Sequence, residues 1–128
     1  MKRDLITRLN EGPIMCAEGY LFAMERRGYL SAGPFVPEVV MEHPEVVTQL
    51  HREFIRAGSD VVQAFTYYGH REKLRIIGKE HLLEPMQKGA LKIAKDAAAE
   101  FNLVIRSFFI IYPLILLSWL QPTYETSK

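Results

Sequence analysis

Cysteine is almost absent from this sequence: Cys16 is the only one among 128 residues. A single cysteine cannot form a disulfide within the chain, and it cannot build the cysteine clusters that hold zinc or iron–sulfur groups. It lies in the apolar run 14–17, where a lone thiol usually behaves as a small hydrophobic side chain, so we expect Cys16 to be buried. The first twelve residues lack the apolar centre and cleavage site of a secretory signal, so a reducing, cytoplasmic location is expected.

An excess of charge of one sign is also lacking. The chain has 16 Lys and Arg against 15 Asp and Glu, a formal net charge of +1. This balance argues against a strongly basic nucleic-acid surface, and no nucleic-acid partner is predicted. The sequence has neither a glycine-rich phosphate loop nor a nucleophile elbow. Its four histidines show no metal-binding spacing, and we expect His51 to lie on the surface of a helix.

Hydrophobic runs long enough to cross a bilayer are missing as well. Residues 108–120 are uncharged, but this run is shorter than the roughly 17–25 residues that a spanning helix needs. Extending it backward brings in Arg106 and Asn102, which are costly at membrane depth. A membrane partner is therefore not expected.

Helical and buried extended patterns alternate along the first hundred residues. Short helices are predicted at 5–9, 20–27 and 71–77, and two longer helices begin at Pro44 and Pro85. Near-continuous apolar segments at 14–17, 61–65 and 101–105 are typical of strands that helices cover on both faces. Alternation of this kind predicts an α/β protein with a parallel sheet.

The helix that follows His43 has the clearest pattern. Val46, Val47, Leu50, Phe54 and Ala57 recur at intervals of three and four residues, which predicts one buried face, and a glycine at position 58 ends the helix.

A polar-aromatic cluster, Thr66, Tyr67 and Tyr68, follows the segment 61–65. In parallel α/β folds ligands bind at the carboxyl ends of the strands, so this is a candidate binding position. The rings could instead merely cover the core. They could also cage a quaternary ammonium by cation–π attraction, which contributes about 0.5–2 kcal/mol per contact. Phe35, in a nearby glycine- and proline-rich loop, is a candidate third wall.

The stretch 21–74 closely resembles the homocysteine-binding methyltransferase family, and within it the betaine–homocysteine S-methyltransferases. The resemblance extends over about 5–105 and is densest through "EHPE" (42–45), "QLHREF" (49–54) and "RAGS" (56–59). It implies a (β/α)8 TIM barrel that transfers a methyl group from betaine, or a related methylated donor, to the sulfur of homocysteine, giving methionine. It also implies a zinc ion held by three cysteines, which activates the thiol as a thiolate.

The same resemblance suggests substrate-binding residues. Phe35, Tyr67 and Tyr68 match positions that line the donor and homocysteine pocket. The loop after the first strand usually reads Asp-Gly-Gly in the family, and here Ala17, Glu18 and Gly19 stand in its place. Glu18 could neutralise the substrate ammonium from the neighbouring position, or it could be an ordinary solvated acid.

The chain departs from the family in its last part. After residue 105 no further resemblance is evident, so we divide the chain into 1–105, the N-terminal part of an incomplete barrel domain, and 106–128, a hydrophobic tail. About three of eight strands are predicted, and the family's zinc ligands are absent. Such a sheet has open edges, which are prone to pair with other chains.

Three alternatives follow from this departure. The chain, as a monomer or a homo-oligomer, could be a truncated and inactive form of the methyltransferase, or a non-catalytic truncated isoform that associates with full-length subunits or with membranes through 108–120. It could also lack a stable fold.

Overall fold

The computed structural model describes residues 5–31 and 38–101. This part of the chain is mostly helical. Apart from a short helix at 39–42, which was not predicted, the α-helices begin and end close to the predicted positions. They are α1 (Leu5–Glu11), α2 (Tyr20–Arg26), α3 (Val39–Glu42), α4 (Pro44–Arg56), α5 (Arg71–Ile76), a short 3₁₀ turn (Glu80–Leu82) and α6 (Leu83–Glu100). Phe35, residues 102–105 of the third predicted strand and the whole tail 106–128 lie outside the described residues.

The helix α4 begins and ends for local reasons. Pro44 occupies its first position, where the missing N–H costs nothing, and Glu45 lies in the first turn, where the helix dipole favours an acid. Ala57 is the C-cap, and Gly58 follows with a φ of 105°, a left-handed conformation that glycine adopts without strain.

The buried face of α4 differs from the predicted one. The buried residues are Val47, Leu50, His51 and Ile55, whereas Ala57 is exposed. A helix turns by about 100° per residue, so a buried face centred one position away from the predicted one includes residue 51. The prediction that His51 lies on the surface was therefore wrong.

The helix α6 packs on α4 and α3 through a face that is mostly alanine. Met86, Ala90, Ala94, Ala97 and Ala98 are its buried residues. Pro85 lies in the first turn, where backbone N–H groups have no helical partner, so the helix begins two residues before it. At the other end, the Arg52 guanidinium of α4 donates to both carboxylate oxygens of Glu100, at 2.7 and 3.0 Å.

The segments 14–17 and 61–65 run side by side in the parallel direction. They meet in a single bridge between Cys16 and Val61. The Ala17 N–H donates to the carbonyl oxygen of Val61 at 2.7 Å, and the Val61 N–H donates to that of Met15 at 3.1 Å. Within the two described ranges, this bridge is the whole of the β pairing, and no strand forms.

The fold-class prediction is thus confirmed in part. The helices and the parallel direction are present, but among the described residues neither 14–17 nor 61–65 forms a strand. A ladder grows only where several consecutive residues find partners on a neighbouring segment, and here two short segments share one bridge.

Cys16 is exposed, which corrects the expectation of a buried thiol. Successive residues of an extended segment point to opposite sides, and Ala17 takes the inward position with 2 % exposure. Alternation would place Met15 on the same side as Ala17, yet Met15 is 65 % exposed, so only the end of the run at Ala17 is buried.

One apolar cluster joins α2, α3, α4, α6 and the second extended segment. Met24 of α2 and Val62 of the extended segment are completely buried within it. Burial of side chains of this size contributes about 1.5–3 kcal/mol each. Among the helices of the described part, none has the length and apolar character needed to cross a bilayer.

Candidate functional site

The site predicted from the sequence lies where the two extended segments end. The parallel bridge between Cys16 and Val61 fixes their relative direction, so both carboxyl ends face the same way. Residues 17–19 lead from the first segment into α2, and residues 66–70 lead from the second into α5. The two loops that carry the predicted binding residues therefore leave the same edge.

The first loop is short and carries an exposed acid. Gly19 is the N-cap of α2 and has a φ of 80°. A side chain would have space at this position, so the left-handed backbone conformation is the reason that glycine is favoured here. Glu18 is exposed, and it makes no hydrogen bond or ion pair with any described residue. Its carboxylate is thus accessible to a cationic group from solution.

The second loop brings two tyrosine rings together. The ring centroids of Tyr67 and Tyr68 lie 4.3 Å apart, with an angle of 38° between the planes. Tyr67 is half-buried against the apolar core, whereas Tyr68 keeps 42 % of its surface exposed. The pair therefore packs on the core on one side and exposes an aromatic surface to solvent on the other. This arrangement is compatible both with covering the core and with binding a quaternary ammonium.

The backbone of this loop is held in an unusual conformation. Tyr68 has a φ of 62°, and it is the one non-glycine residue with positive φ in the described part. The turn is closed by the Gly69 N–H, which donates to the Thr66 carbonyl oxygen at 2.9 Å. Gln87 of α6 donates from Nε2 to the Gly69 carbonyl oxygen at 2.6 Å. Contacts with α6 thus hold Tyr68 in a conformation that side chains rarely adopt, and such conformations often occur at binding sites.

A cation lies over the exposed ring. The Nζ atom of Lys73, on α5, is 5.1 Å from the centroid of Tyr68. This is within the range of cation–π attraction, so the ring face already attracts a positive charge in this structure.

A buried polar contact, which sequence reasoning missed, lies beneath the two loops. The Tyr20 hydroxyl oxygen accepts the Gln63 N–H at 3.3 Å and is 3.0 Å from Nδ1 of His51. Burial raises the pKa of the Tyr20 phenol well above its usual value of 10, and the Gln63 hydrogen bond opposes this only in part. The phenol therefore keeps its proton at neutral pH and can donate it to Nδ1.

His51 is held neutral in this contact. Its side chain has no exposed surface, and burial lowers its pKa from 6.5 to about 4. If Tyr20 donates to Nδ1, the imidazole proton lies on Nε2, which has no hydrogen-bond partner among the described residues. The available signal was the spacing of four residues that places His51 on the same helix face as Val47. Its pairing with a tyrosine 31 residues earlier is a tertiary contact that no local spacing shows.

The residues present do not fit the zinc site that the resemblance implies. Three cysteines are required, whereas this chain has one, and Cys16 is exposed at the parallel bridge. Within residues 5–31 and 38–101, no three His, Cys, Asp or Glu side chains are grouped so that they could hold a metal ion. We therefore derive no chemical step through zinc.

Comparison with known proteins supports the assignment by resemblance. A family model described as homocysteine S-methyltransferase matches residues 19–118. The matched range continues past residue 105, and the boundary between 1–105 and 106–128 stays a prediction.

Several individual proteins are also similar. Betaine–homocysteine S-methyltransferase 1 of Pongo abelii is 44% identical over 110 residues, and that of Danio rerio is 43% identical over 107. Each alignment covers 81% of this chain and 27% of the relative, so the chain spans about a quarter of the length of these proteins. The protein of Sus scrofa is 40% identical over 109 residues, which is 39% of its length. The family resemblance is confirmed, and this chain belongs to the homocysteine S-methyltransferase family.

Proposed function

We propose that this protein takes part in methyl transfer from betaine, or a related methylated donor, to the sulfur of homocysteine, which yields methionine. The observation that carries this proposal is the tyrosine pair. Tyr67 and Tyr68 lie in ring contact, and the exposed ring already attracts a cation. A quaternary ammonium has no hydrogen to donate, so it is bound chiefly by aromatic faces and by burial of its methyl groups.

Each predicted binding residue has a place in this proposal. The donor ammonium packs on Tyr67 and Tyr68, with Phe35 as a further wall. Glu18 and the backbone at Gly19 contact the amino and carboxylate groups of homocysteine. Support comes from the parallel bridge, because it directs both loops to one edge, and from Glu18, whose carboxylate has no partner in the described part.

The proposal also includes the (β/α)8 barrel. In that architecture each strand is followed by a helix and the active site lies at the carboxyl ends of the strands. The order of the described elements agrees with this, since the segment 14–17 precedes α2 and the segment 61–65 precedes α5.

The lack of three cysteine ligands for zinc limits the chemistry that one copy of this chain can perform. Because it has one cysteine, we propose that a single copy binds substrates but does not by itself convert homocysteine to methionine. Thiolate formation, the step that zinc supplies in such enzymes, then depends on ligands from elsewhere.

Betaine binding to the 128-residue chain tests the proposal. In an NMR or calorimetric titration we expect Tyr68→Leu, which keeps an apolar side chain but removes the ring, to weaken betaine binding by roughly 2- to 30-fold. Tyr29→Leu is a matched control, because Tyr29 is 41 % exposed against 42 % for Tyr68 and also makes a ring contact, with His43. An unmodified chain that fails to bind betaine would refute the proposal. Equal effects of the two substitutions would refute the role of the tyrosine pair.

A further inference from the structure

The position of Lys73 raises a question about the tyrosine pair. Its ammonium lies 5.1 Å from the centre of the Tyr68 ring, at the surface proposed for a quaternary ammonium. Two cations that share one ring face repel each other. A lysine here is unfavourable for a ligand that is only a cation, and it becomes favourable when the ligand also carries a negative group.

The local structure holds Lys73 near the ring. His70 is the N-cap of α5, and its Nδ1 accepts the Lys73 backbone N–H at 3.4 Å. Tyr68 is fixed on the other side, because Gln87 holds the carbonyl oxygen of Gly69. Lys73 and Tyr68 are thus five residues apart in sequence, and a hydrogen bond holds the backbone at or next to each of them.

Among the described residues, no acid neutralises the charge of Lys73. The adjacent acid on α5, Glu72, pairs with Arg75 at 3.0 Å. Lys73 makes no ion pair with any residue that the structure describes, and its side chain is half-buried. Its ammonium is therefore available to a carboxylate that arrives with a ligand, and partial burial strengthens such a pair relative to a fully exposed one.

We propose that Lys73 binds the carboxylate of a zwitterionic methyl donor whose quaternary ammonium packs on Tyr67 and Tyr68. This inference rests on the proposed function and adds to it the basis of donor selection. In betaine a single methylene separates the ammonium from the carboxylate, so adjacent protein groups can contact both. Lys73 then favours zwitterions such as betaine over ligands that carry a positive charge alone.

The test compares two ligands on the intact chain. Betaine and tetramethylammonium have similar cationic heads, but only betaine has a carboxylate. For Lys73→Met we expect betaine to bind about fivefold more weakly and tetramethylammonium to bind equally or more tightly. Lys73→Arg should retain betaine binding because it keeps the positive charge. Lys95→Met removes the same charge from an exposed position on α6 and should change neither affinity.

The outcomes separate this inference from the proposed function. If Lys73→Met tightens the binding of both ligands equally, the lysine only occupies the ring face and the inference is wrong, while the tyrosine site stands. Equal weakening of both ligands also contradicts it, because the carboxylate then makes no difference. If the unmodified chain binds neither ligand, the proposed function fails and this inference fails with it.

Discussion

We expect the buried His51 to make the stability of this protein sensitive to mild acid. Its imidazole has no exposed surface, and burial lowers its pKa to about 4 from 6.5. Between these two pH values the unfolded chain binds a proton at His51 that the folded chain does not bind. The free energy of unfolding therefore falls as the pH decreases through this window.

The two pKa values give the size of the effect. At about 1.36 kcal/mol per pH unit, the gap between 6.5 and about 4 corresponds to a full loss of about 3 kcal/mol below pH 4. Between pH 7.5 and pH 4.5 we expect a loss of about 2–3 kcal/mol from His51 alone. That is a large part of the roughly 5–15 kcal/mol that stabilises an ordinary domain.

Urea unfolding at several pH values, followed by circular dichroism, measures this loss. His51→Gln removes the titrating group and keeps a polar side chain with good helix propensity. Ion pairs with Arg27 and Arg52 lower the pKa values of carboxylates such as Glu53 and Glu100. These carboxylates titrate in the unmodified chain and in His51→Gln alike, so their contributions to the free energy of unfolding cancel in the comparison. His81→Gln serves as the control, because His81 is exposed.

The expected result is a difference between pH profiles. The free energy of unfolding of the unmodified chain and of His81→Gln should fall more steeply below pH 6.5 than that of His51→Gln. If all three profiles run parallel within about 0.5 kcal/mol, His51 is not a buried neutral imidazole and the reasoning is refuted.

Three further substitutions test other parts of the fold by urea unfolding at pH 7.5. Tyr20→Phe leaves the Gln63 N–H and Nδ1 of His51 without their shared partner and should cost about 1–3 kcal/mol; an unchanged midpoint would mean that water replaces the hydroxyl. Gly58→Ala places a side chain at a φ of 105° and should cost about 1 kcal/mol or more, whereas a gain in stability would contradict that conformation. Ala94→Leu overfills the α6 face, where position 94 has no exposed surface, and should cost about 1–3 kcal/mol; a neutral effect would mean that the helices pack less closely than described.

The helices were predictable because local signals determine where they begin and end. Pro44, the acid that follows it and Gly58 mark the two ends of α4 by steric and electrostatic effects that act within one turn. The exact buried face was less predictable. An apolar stripe that is several residues wide fits two neighbouring orientations, and the choice depends on which helices pack against it. Here the packing turned His51 inward.

The strands were less predictable than the helices, because pairing depends on distant segments. The segment 61–65 has an apolar pattern whether or not neighbours pair with it, and in the described part it meets only the segment 14–17. The same holds for Cys16, since an apolar run does not reveal which of its faces other elements cover. In the candidate site, the tyrosine pair was recognisable from residue type, but the position of Lys73 over the Tyr68 ring depends on how the loop leads into α5.

Two groups of residues therefore affect the candidate site in different ways. Tyr20 directly follows Gly19 in the first loop, and its hydroxyl holds the backbone of Gln63 in the segment that leads to the tyrosine pair. Removing that hydroxyl should lower the free energy of unfolding and weaken ligand binding together, because one buried contact ties both loops to the same edge. Lys73 lies outside this contact, so its replacement by Met should change ligand affinity without a matching change in stability. A variant series that separates affinity from stability in this way distinguishes the residues that position the site from those that touch its ligand.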